Sequence, residues 1–362
     1  MTAPLLEFIF NQFKHKADFI YYEELASGHI NDTYLIITKY KPYFILQRIN
    51  HEVFKNVPDL IANKVKVSEY LQKKMAHLPE NEIKRRVISF IGTKTGSMYY
   101  VDKDGNFWNM MLYIDHSKTY EVVTDEKVAF EGGKLFGEFL HLTSDFDATQ
   151  LVEIIPNFHD MSFRFSQFEN AKKNATNDRL HQAKMCIHQV EELKEEMHII
   201  QHLKDTGKIK TRVTHNDTKI SNALFDLDNK GLCVIDTDTV MPGIVHYDFG
   251  DAIRTICNTT SEDEKDLSLV NFNITFYKAY VKGFLQTTGT SLSQIELEYL
   301  PLGAKTITFI MALRFLTDYL NGDIYYKIAY PEHNLNRSKN QLKLVQCISQ
   351  NFEEMRKTIS LQ

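Results

Sequence analysis

Cysteine is scarce in this chain of 362 residues: there are four, Cys186, Cys233, Cys257 and Cys347, far apart and without a C-x-x-C pair. That spacing excludes a disulfide framework and a zinc ribbon and points to a reducing compartment. A long apolar run is missing too: no stretch of 18 apolar residues occurs, so no membrane span is expected. The apolar stretch from Pro4 to Phe10 is short and Glu7 interrupts it. It has no basic region before it and no small-residue cleavage site after it, unlike a secretion signal. Neither sign of charge is in large excess, with 42 Lys plus Arg against 47 Asp plus Glu and a formal net charge of −5. No strong basic field is available to hold nucleic acid or an anionic membrane. Internal repeats and low-complexity linkers are also absent. The expectation is a soluble, cytoplasmic protein that binds no nucleic acid and no membrane and needs no obligate protein partner.

What is present is an ordinary globular balance, 43% hydrophobic and 25% charged. The length suits two domains or one bilobal unit, with a core that needs no disulfide or metal staple. Hydrophobic period changes along the chain. Segments Phe19–Glu24, Thr33–Thr38 and Tyr43–Ile49 are rich in aromatic and β-branched residues and read as strands. Ser27-Gly28 and Lys41-Pro42 mark the turns between them. Residues 58–77 read as a helix. Val87–Ile91, Met98–Val101 and Met110–Ile114 are further strand candidates. The first ~115 residues thus read as an antiparallel sheet with one or two helices. Beyond Asp115 the pattern is mainly helical, over 127–142, 178–204, 262–285, 294–320 and 338–358. Asp178 is a candidate N-cap, and Ser261-x-x-Glu264 has the form of a capping box. The fold class is therefore α+β.

Most of the polar residues of chemical interest lie between these helices, in 211–250. The string Thr214-His215-Asn216-Asp217-Thr218-Lys219-Ile220-Ser221-Asn222 has the form H-x-D-x-x-x-x-N. In protein kinases this spacing puts an Asp beside the attacking hydroxyl and an Asn on Mg²⁺. Leu232-Cys233-Val234-Ile235 then reads as a buried strand ending at Asp236, 19 residues after Asp217. A carboxylate there suits a divalent metal bridging ATP phosphates, since Mg²⁺ takes one or two carboxylates and fills its shell with phosphate oxygens and water. Asp238 is placed to share that site or to bond within its loop. Asp248-Phe249-Gly250 spells the kinase metal motif, but it follows Asp217 by 31 residues and no apolar strand leads into it. Asp236 is therefore read as the metal ligand, and Asp248 and Asp251 as fixing the catalytic loop or a following helix.

Gly28, in Ser27-Gly28-His29-Ile30-Asn31-Asp32-Thr33-Tyr34, permits a tight turn whose amides can cover phosphates. In the next strand, Gln47 and Arg48 are the candidates for the phosphate-binding side chain, and strand alternation does not decide between them. Glu69 is a candidate for their helical partner. His215 reads as a loop strut rather than a base. Arg314 lies in an apolar helical stretch, where it either reaches a substrate or pairs with Asp318 at i+4. Tyr325 and Tyr326 read as substrate contacts or core aromatics, and His159 and Arg164 as a lid or a solvated face. Trp108 reads as packing, and the cysteines as buried small residues.

Together these strings resemble the aminoglycoside phosphotransferase (choline kinase-like) superfamily. S-G-H-I-N-D-T-Y, F-I-L-Q-R-I-N, T-H-N-D-T-K-I-S-N, I-D-T-D-T-V-M-P-G, Y-D-F-G-D-A-I-R and R-F-L-T-D-Y-L-N-G-D run from about residue 27 to 340. They resemble most its members that phosphorylate N-acetylhexosamines. The resemblance implies a bilobal protein-kinase-like fold with a nucleotide-binding lobe (1–112), a hinge (113–118) and a catalytic, substrate-binding lobe (119–362). It implies transfer of the ATP γ-phosphoryl to the anomeric hydroxyl of GlcNAc or GalNAc, with Mg²⁺. Asp217 would be the base, and Asn222 and Asp236 would hold the metal. Gly28, Gln47 or Arg48, Met111 and Tyr113 would meet ATP, while His29, Asn31, Arg314 and Tyr325 would approach the sugar beside Asp217. The superfamily usually has a lone Lys or Arg where this chain has Gln47-Arg48.

Other readings remain open at this level. One is a kinase of choline, homoserine, methylthioribose or an aminoglycoside. A second is a nucleotide-binding module without catalysis, and a third is a carboxylate-pair glycosidase that needs no ATP. Acidic and basic side chains balance over 251–362, which suits a neutral acceptor better than a cationic one.

Overall fold

A computed structural model describes residues 1–25, 30–123 and 125–361. Its elements run α1 (Ala3–Phe10), β1 (Phe19–Glu24), β2 (Asp32–Thr38), β3 (Phe44–Ile49), α2 (Val57–Lys74), α3 (Glu80–Arg86), β4 (Tyr100–Val101), β5 (Phe107–Leu112), β6 (Ser117–Lys118) and α4 (Glu126–Leu142). Then follow α5 (Met161–Asn174), α6 (Asn177–Met197), α7 (Ile199–Asp205), β7 (Arg212–Thr214), β8 (Ala223–Asp226), β9 (Gly231–Val234), β10 (Met241–Gly243), α8 (Val245–Ile256), α9 (Ile274–Thr288), α10 (Gln294–Leu320) and α11 (His333–Ser360). This is the expected α+β arrangement, with an antiparallel sheet in the N-terminal part and a mainly helical C-terminal part.

The N-terminal sheet has the order β1-β2-β3-β5-β4. Alternation gives it two apolar faces. Tyr34, Ile36, Phe44, Leu46, Trp108 and Met110 pack on Leu6, Ile9 and Phe10 of α1. Trp108 is fully buried and its Nε1–H donates to Asp102 at 2.9 Å, so it is packing as expected. On the other side, Ile49 meets Leu60 and Ile61 of α2. The chain leaves β5 at Leu112 and rejoins a second small sheet, β6-β8-β9, at Ser117.

Several boundaries differ from the sequence expectation. Val87–Ile91 forms no strand, only an isolated bridge between Phe90 and Met111. The helix α3 precedes it, with acidic residues in its first turn and basic ones in its last, which complements the helix dipole. The 178–204 helix breaks at His198 into α6 and α7. Thr176, not Asp178, caps α6, its hydroxyl accepting Arg179 N–H at 3.4 Å. Ser261-x-x-Glu264 opens no helix, and α9 starts only at Ile274. There Glu264 and Asp266 accept the backbone N–H of Asp266 and Ser268 at 2.8 and 3.0 Å, and such local bonds favour turns over helix. The capping box that forms is Ser293 with Glu296, at the start of α10.

Helix α10 is the C-terminal core. It is long and apolar enough to cross a membrane by length and composition, but 89% of its most apolar window is buried inside the protein. It crosses α8 at Gly250 and Gly303: a Cβ on Gly250 would lie 2.5 Å from the Gly303 carbonyl oxygen, and one on Gly303 2.7 Å from that of His246. Only glycine permits this approach, which seats α8 directly behind the loop that follows β7.

Candidate functional site

The loop after β7 is held from four sides. His215 is fully buried, and its Nε2 lies 2.9 Å from the carbonyl oxygen of Ile235. Asp248, at the start of α8, accepts the N–H of His215 at 2.8 Å and of Asn216 at 2.7 Å. The Thr218 hydroxyl donates to the carbonyl of Asp248 at 2.5 Å. Asn216 adopts a left-handed backbone (φ 63°) that Asn tolerates, and its Nδ2 donates to Thr239 O at 3.0 Å. Asp248 thus fixes the loop, while Asp251 takes Arg254 Nε at 2.9 Å within α8.

This scaffold presents Asp217. Asn222, just before β8, donates through Nδ2 to the Asp217 carboxylate at 2.9 Å and to its carbonyl at 2.8 Å. Lys219 Nζ lies 3.4 Å from the same carboxylate. Burial by itself would raise the Asp217 pKa, but Lys219, His215 and the Asn222 hydrogen bond outweigh it and hold the carboxyl below its ordinary value. Asp217 is therefore an ionised acceptor at neutral pH, with a lysine beside it. Lys219 went unremarked in the sequence, although its place two residues after Asp217 already put it on the same loop.

Asp236 follows β9 in a left-handed conformation, φ 58°. Protein crowds it, and the surface it keeps is open to solvent. Burial, then the charges of Asp238 and Asp217, push its carboxyl up to about 7. Such an excess of negative charge calls for a cation. Among the described residues no group of three or more His, Cys, Asp or Glu side chains is gathered to hold a metal by itself. One Asp and one Asn oxygen is the protein share that Mg²⁺ takes when phosphates and water complete its shell, so Asn222 and Asp236 fit that ion.

Gly28 and His29 lie outside the described residues. Of the other nucleotide candidates, Gln47 and Arg48 separate cleanly. Arg48 faces Asp32 across the strand pair and bonds it through Nε at 2.7 Å, so its charge is neutralised on the sheet. Gln47 is buried and its Oε1 is 3.3 Å from Lys64 Nζ. Glu69 is exposed and forms no ion pair among the described residues, because α2 turns Lys64 rather than Glu69 towards β3. Asn31 is also committed: Nδ2 bonds Asp238 and Oδ1 accepts Asn50 N–H at 2.8 Å. It clasps β2 to the loop after β9 instead of standing free for a sugar. Met111 is buried in a cluster with Ile88, Ile114 and Cys233, against which the half-buried Ile45, Leu224 and Ile235 pack. These side chains come from both sheets and form one apolar cluster between them. Tyr113 gives its N–H to Tyr43 O at 3.0 Å, so that group is not a donor for a base.

Arg314 does not pair with Asp318. Asp318 accepts the N–H groups of Ile324, Tyr325 and Tyr326 at 3.1, 2.8 and 2.9 Å, fixing the turn after α10. The Arg314 guanidinium sits 5.1, 5.9 and 5.5 Å from the ring centroids of Phe158, Tyr325 and Tyr326. Arg164 is near enough that burial and the Arg314 charge lower its pKa to about 10. Arg164 donates to the carbonyl of Phe158 at 3.1 and 2.6 Å and to Gln167 Oε1 at 2.8 Å, and neither arginine has a carboxylate partner among the described residues. His159 is no solvated residue: it is buried, 3.3 Å from Asn216 O. Burial and the charge of Arg314 lower its pKa to about 3, so it is neutral. Phe158, His159, Arg164, Arg314 and Tyr326 thus form one basic, aromatic cluster, joined to the Asp217 loop through His159 and Asn216, with Tyr325 exposed beside it.

An ionised Asp217, a second carboxylate that calls for a cation and an apolar cluster between the two sheets are parts that phosphoryl transfer needs. Residues 22–289 match the phosphotransferase enzyme family, APH. The chain belongs to that family. Its members are ATP-dependent small-molecule phosphotransferases. Solved structures share the fold at low identity. A spectinomycin phosphotransferase in complex with ADP and spectinomycin is 12% identical, with a TM-score of 0.61 over 98% of this chain and 99% of that one. A microcompartment-associated aminopropanol kinase is also 12% identical, with a TM-score of 0.60 over 98% of both chains. A choline kinase from Cryptosporidium parvum Iowa II is 13% identical, with a TM-score of 0.54 over 93% and 91%. The phosphotransferase fold therefore spans the whole of this chain, while the acceptors of these relatives differ among themselves.

Proposed function

We propose that this phosphotransferase is an N-acetylhexosamine 1-kinase, converting GlcNAc or GalNAc and ATP into the sugar 1-phosphate and ADP. Asp217 accepts the proton of the anomeric hydroxyl as its oxygen attacks the γ-phosphorus, and the bond to the ADP oxygen breaks in line. Asn222 holds the Asp217 carboxylate in place, and with Asp236 it supplies oxygens to Mg²⁺. When bound, that ion neutralises charge on the phosphates. Lys219 adds a positive charge beside the reacting oxygens. Adenine lies against the apolar cluster of Ile45, Met111, Leu224 and Ile235. Residues 113–118 act as the hinge between a nucleotide-binding part (1–112) and a catalytic part (119–362). Drawing on ATP, the enzyme would work in the cytoplasm.

The observation that carries the acceptor class is the pair Arg164 and Arg314, without carboxylate partners among the described residues, reaching the Asp217 loop through His159. Two guanidinium groups repel choline, an aminoglycoside or another cation. They donate readily to hydroxyl and carbonyl oxygens of a neutral sugar, and aromatic rings suit its apolar face.

The test is ³¹P NMR of the purified protein with ATP, Mg²⁺ and GlcNAc, with GalNAc, glucose, choline and homoserine in parallel. A sugar 1-phosphate signal is expected with the N-acetylhexosamines. ADP formed only with choline or homoserine would overturn the substrate and leave the chemistry standing.

A further inference from the structure

The charge pair that tethers ATP phosphates in protein kinases is a lysine on the third strand and a glutamate on the following helix. In this chain the strand offers neutral Gln47, and the helix offers Lys64. Lys64 is 3% exposed, on the buried side of α2 with Leu60, Ile61, Asn63, Val67, Ser68 and Leu71. Its ammonium forms an ion pair with buried Asp238 and donates to Gln47 Oε1 at 3.3 Å. An ammonium has three donors, and the third has no oxygen partner among the described residues.

The surroundings carry further unmet polarity. Asn109 pairs with Gln47 across the strands and so shares its face. Both polar atoms of the Asn109 side chain are buried without a partner among the described residues, as is the Thr237 hydroxyl between Asp236 and Asp238. A buried ion pair adds little stability over an apolar pair of equal volume, so stability alone gives no reason for a lysine here. Asp238 belongs to the same short loop as Asp236, which puts Lys64 next to the metal-seeking carboxylate. The alternative cation, Arg48, is neutralised on the sheet by Asp32.

We propose that Lys64 is the phosphate-binding cation of the nucleotide site, delivered from helix α2 instead of strand β3, with Gln47 and Asp238 as its positioning residues. The inference rests on the phosphotransferase reading and says where that site obtains its positive charge. Asp238 keeps the ammonium aimed, Gln47 shares its hydrogen bond, and the third donor meets a phosphate oxygen.

Binding of Mg·ATP and of adenosine, measured by calorimetry, tests it on the full-length protein. Lys64→Met should weaken Mg·ATP by about 10- to 100-fold, the loss of a charge-assisted hydrogen bond, and leave adenosine unchanged. Adding Gln47→Lys should restore Mg·ATP binding by returning the charge from the strand. Lys64→Met/Asp238→Asn, which leaves no buried charge unpaired, should fold and show the same selective loss. Equal Mg·ATP affinity in wild type and this double variant would overturn the inference. So would a loss shared by adenosine that Gln47→Lys fails to reverse, the mark of a packing role. A wild type that binds neither ATP nor adenosine would overturn the nucleotide reading itself.

Discussion

The carboxylate of Asp248 receives the backbone N–H of His215 at 2.8 Å and spends its second oxygen on the next residue, Asn216. One side chain of α8 thereby sets the path of the catalytic loop. Asp248→Asn keeps the size but turns one acceptor into a donor that faces an N–H. Such a mismatch in a buried site costs about 1–3 kcal/mol. Denaturant unfolding should show that loss together with a lower kcat. Wild-type values for both would mean that the loop holds itself.

Asp217→Asn should lower kcat by about two to four orders of magnitude, the range for a lost general base, while Mg·ATP affinity stays within a few-fold of wild type. Steady-state kinetics with a binding titration checks both. A rate within a few-fold of wild type would remove Asp217 from the base role.

Among the described residues, Arg314 makes aromatic contacts and a 3.6 Å approach to Met311 Sδ, with no carboxylate partner. Arg314→Met should therefore cost about 1 kcal/mol or less of stability and raise KM for the acceptor by about 10- to 100-fold, with KM for ATP unchanged. Asp318→Asn should act in the same direction by loosening the turn that carries Tyr325 and Tyr326. An unchanged acceptor KM in both would place the sugar elsewhere.

His246 on α8 is fully buried, with Nε2 3.0 Å from Glu296 O. Burial lowers its pKa from 6.5 to about 4. Folding therefore favours its neutral form: the stability it contributes is present above pH 6.5 and is lost as pH falls towards 4. At about 1.4 kcal/mol per unit, the wild type should lose about 2–3 kcal/mol relative to His246→Gln between pH 7.5 and 4.5. Comparing the two unfolding curves cancels the opposite contribution of Asp248, whose pKa burial raises to about 6. A constant difference across pH would show that His246 is not held neutral.

Much of the site could be read along the chain because its parts are local. Asp217 and Asn222 are five residues apart on one loop, and Asp236 ends a strand whose apolar run is plain. The three N-terminal strands and the helices at 127–142 and 294–320 declare themselves by period. Spacing from Asp217 and the lack of an apolar strand before it set Asp248 apart from Asp236, and its bonds to the loop agree.

What only the tertiary structure decided involves partners far apart in sequence. Gln47 and Arg48 are neighbours whose roles diverge because a strand sends them to opposite faces, one towards Lys64 and one towards Asp32. Lys64 carries no signal in the sequence, because its partner Asp238 lies 174 residues away. Arg314 had an obvious partner four residues on, but the turn after α10 offers Asp318 three N–H donors and leaves the guanidinium to the aromatic rings. Local spacing determines which residues share a loop or a helix face. Burial and competition for each charge, set by the whole fold, determine what those residues are free to bind.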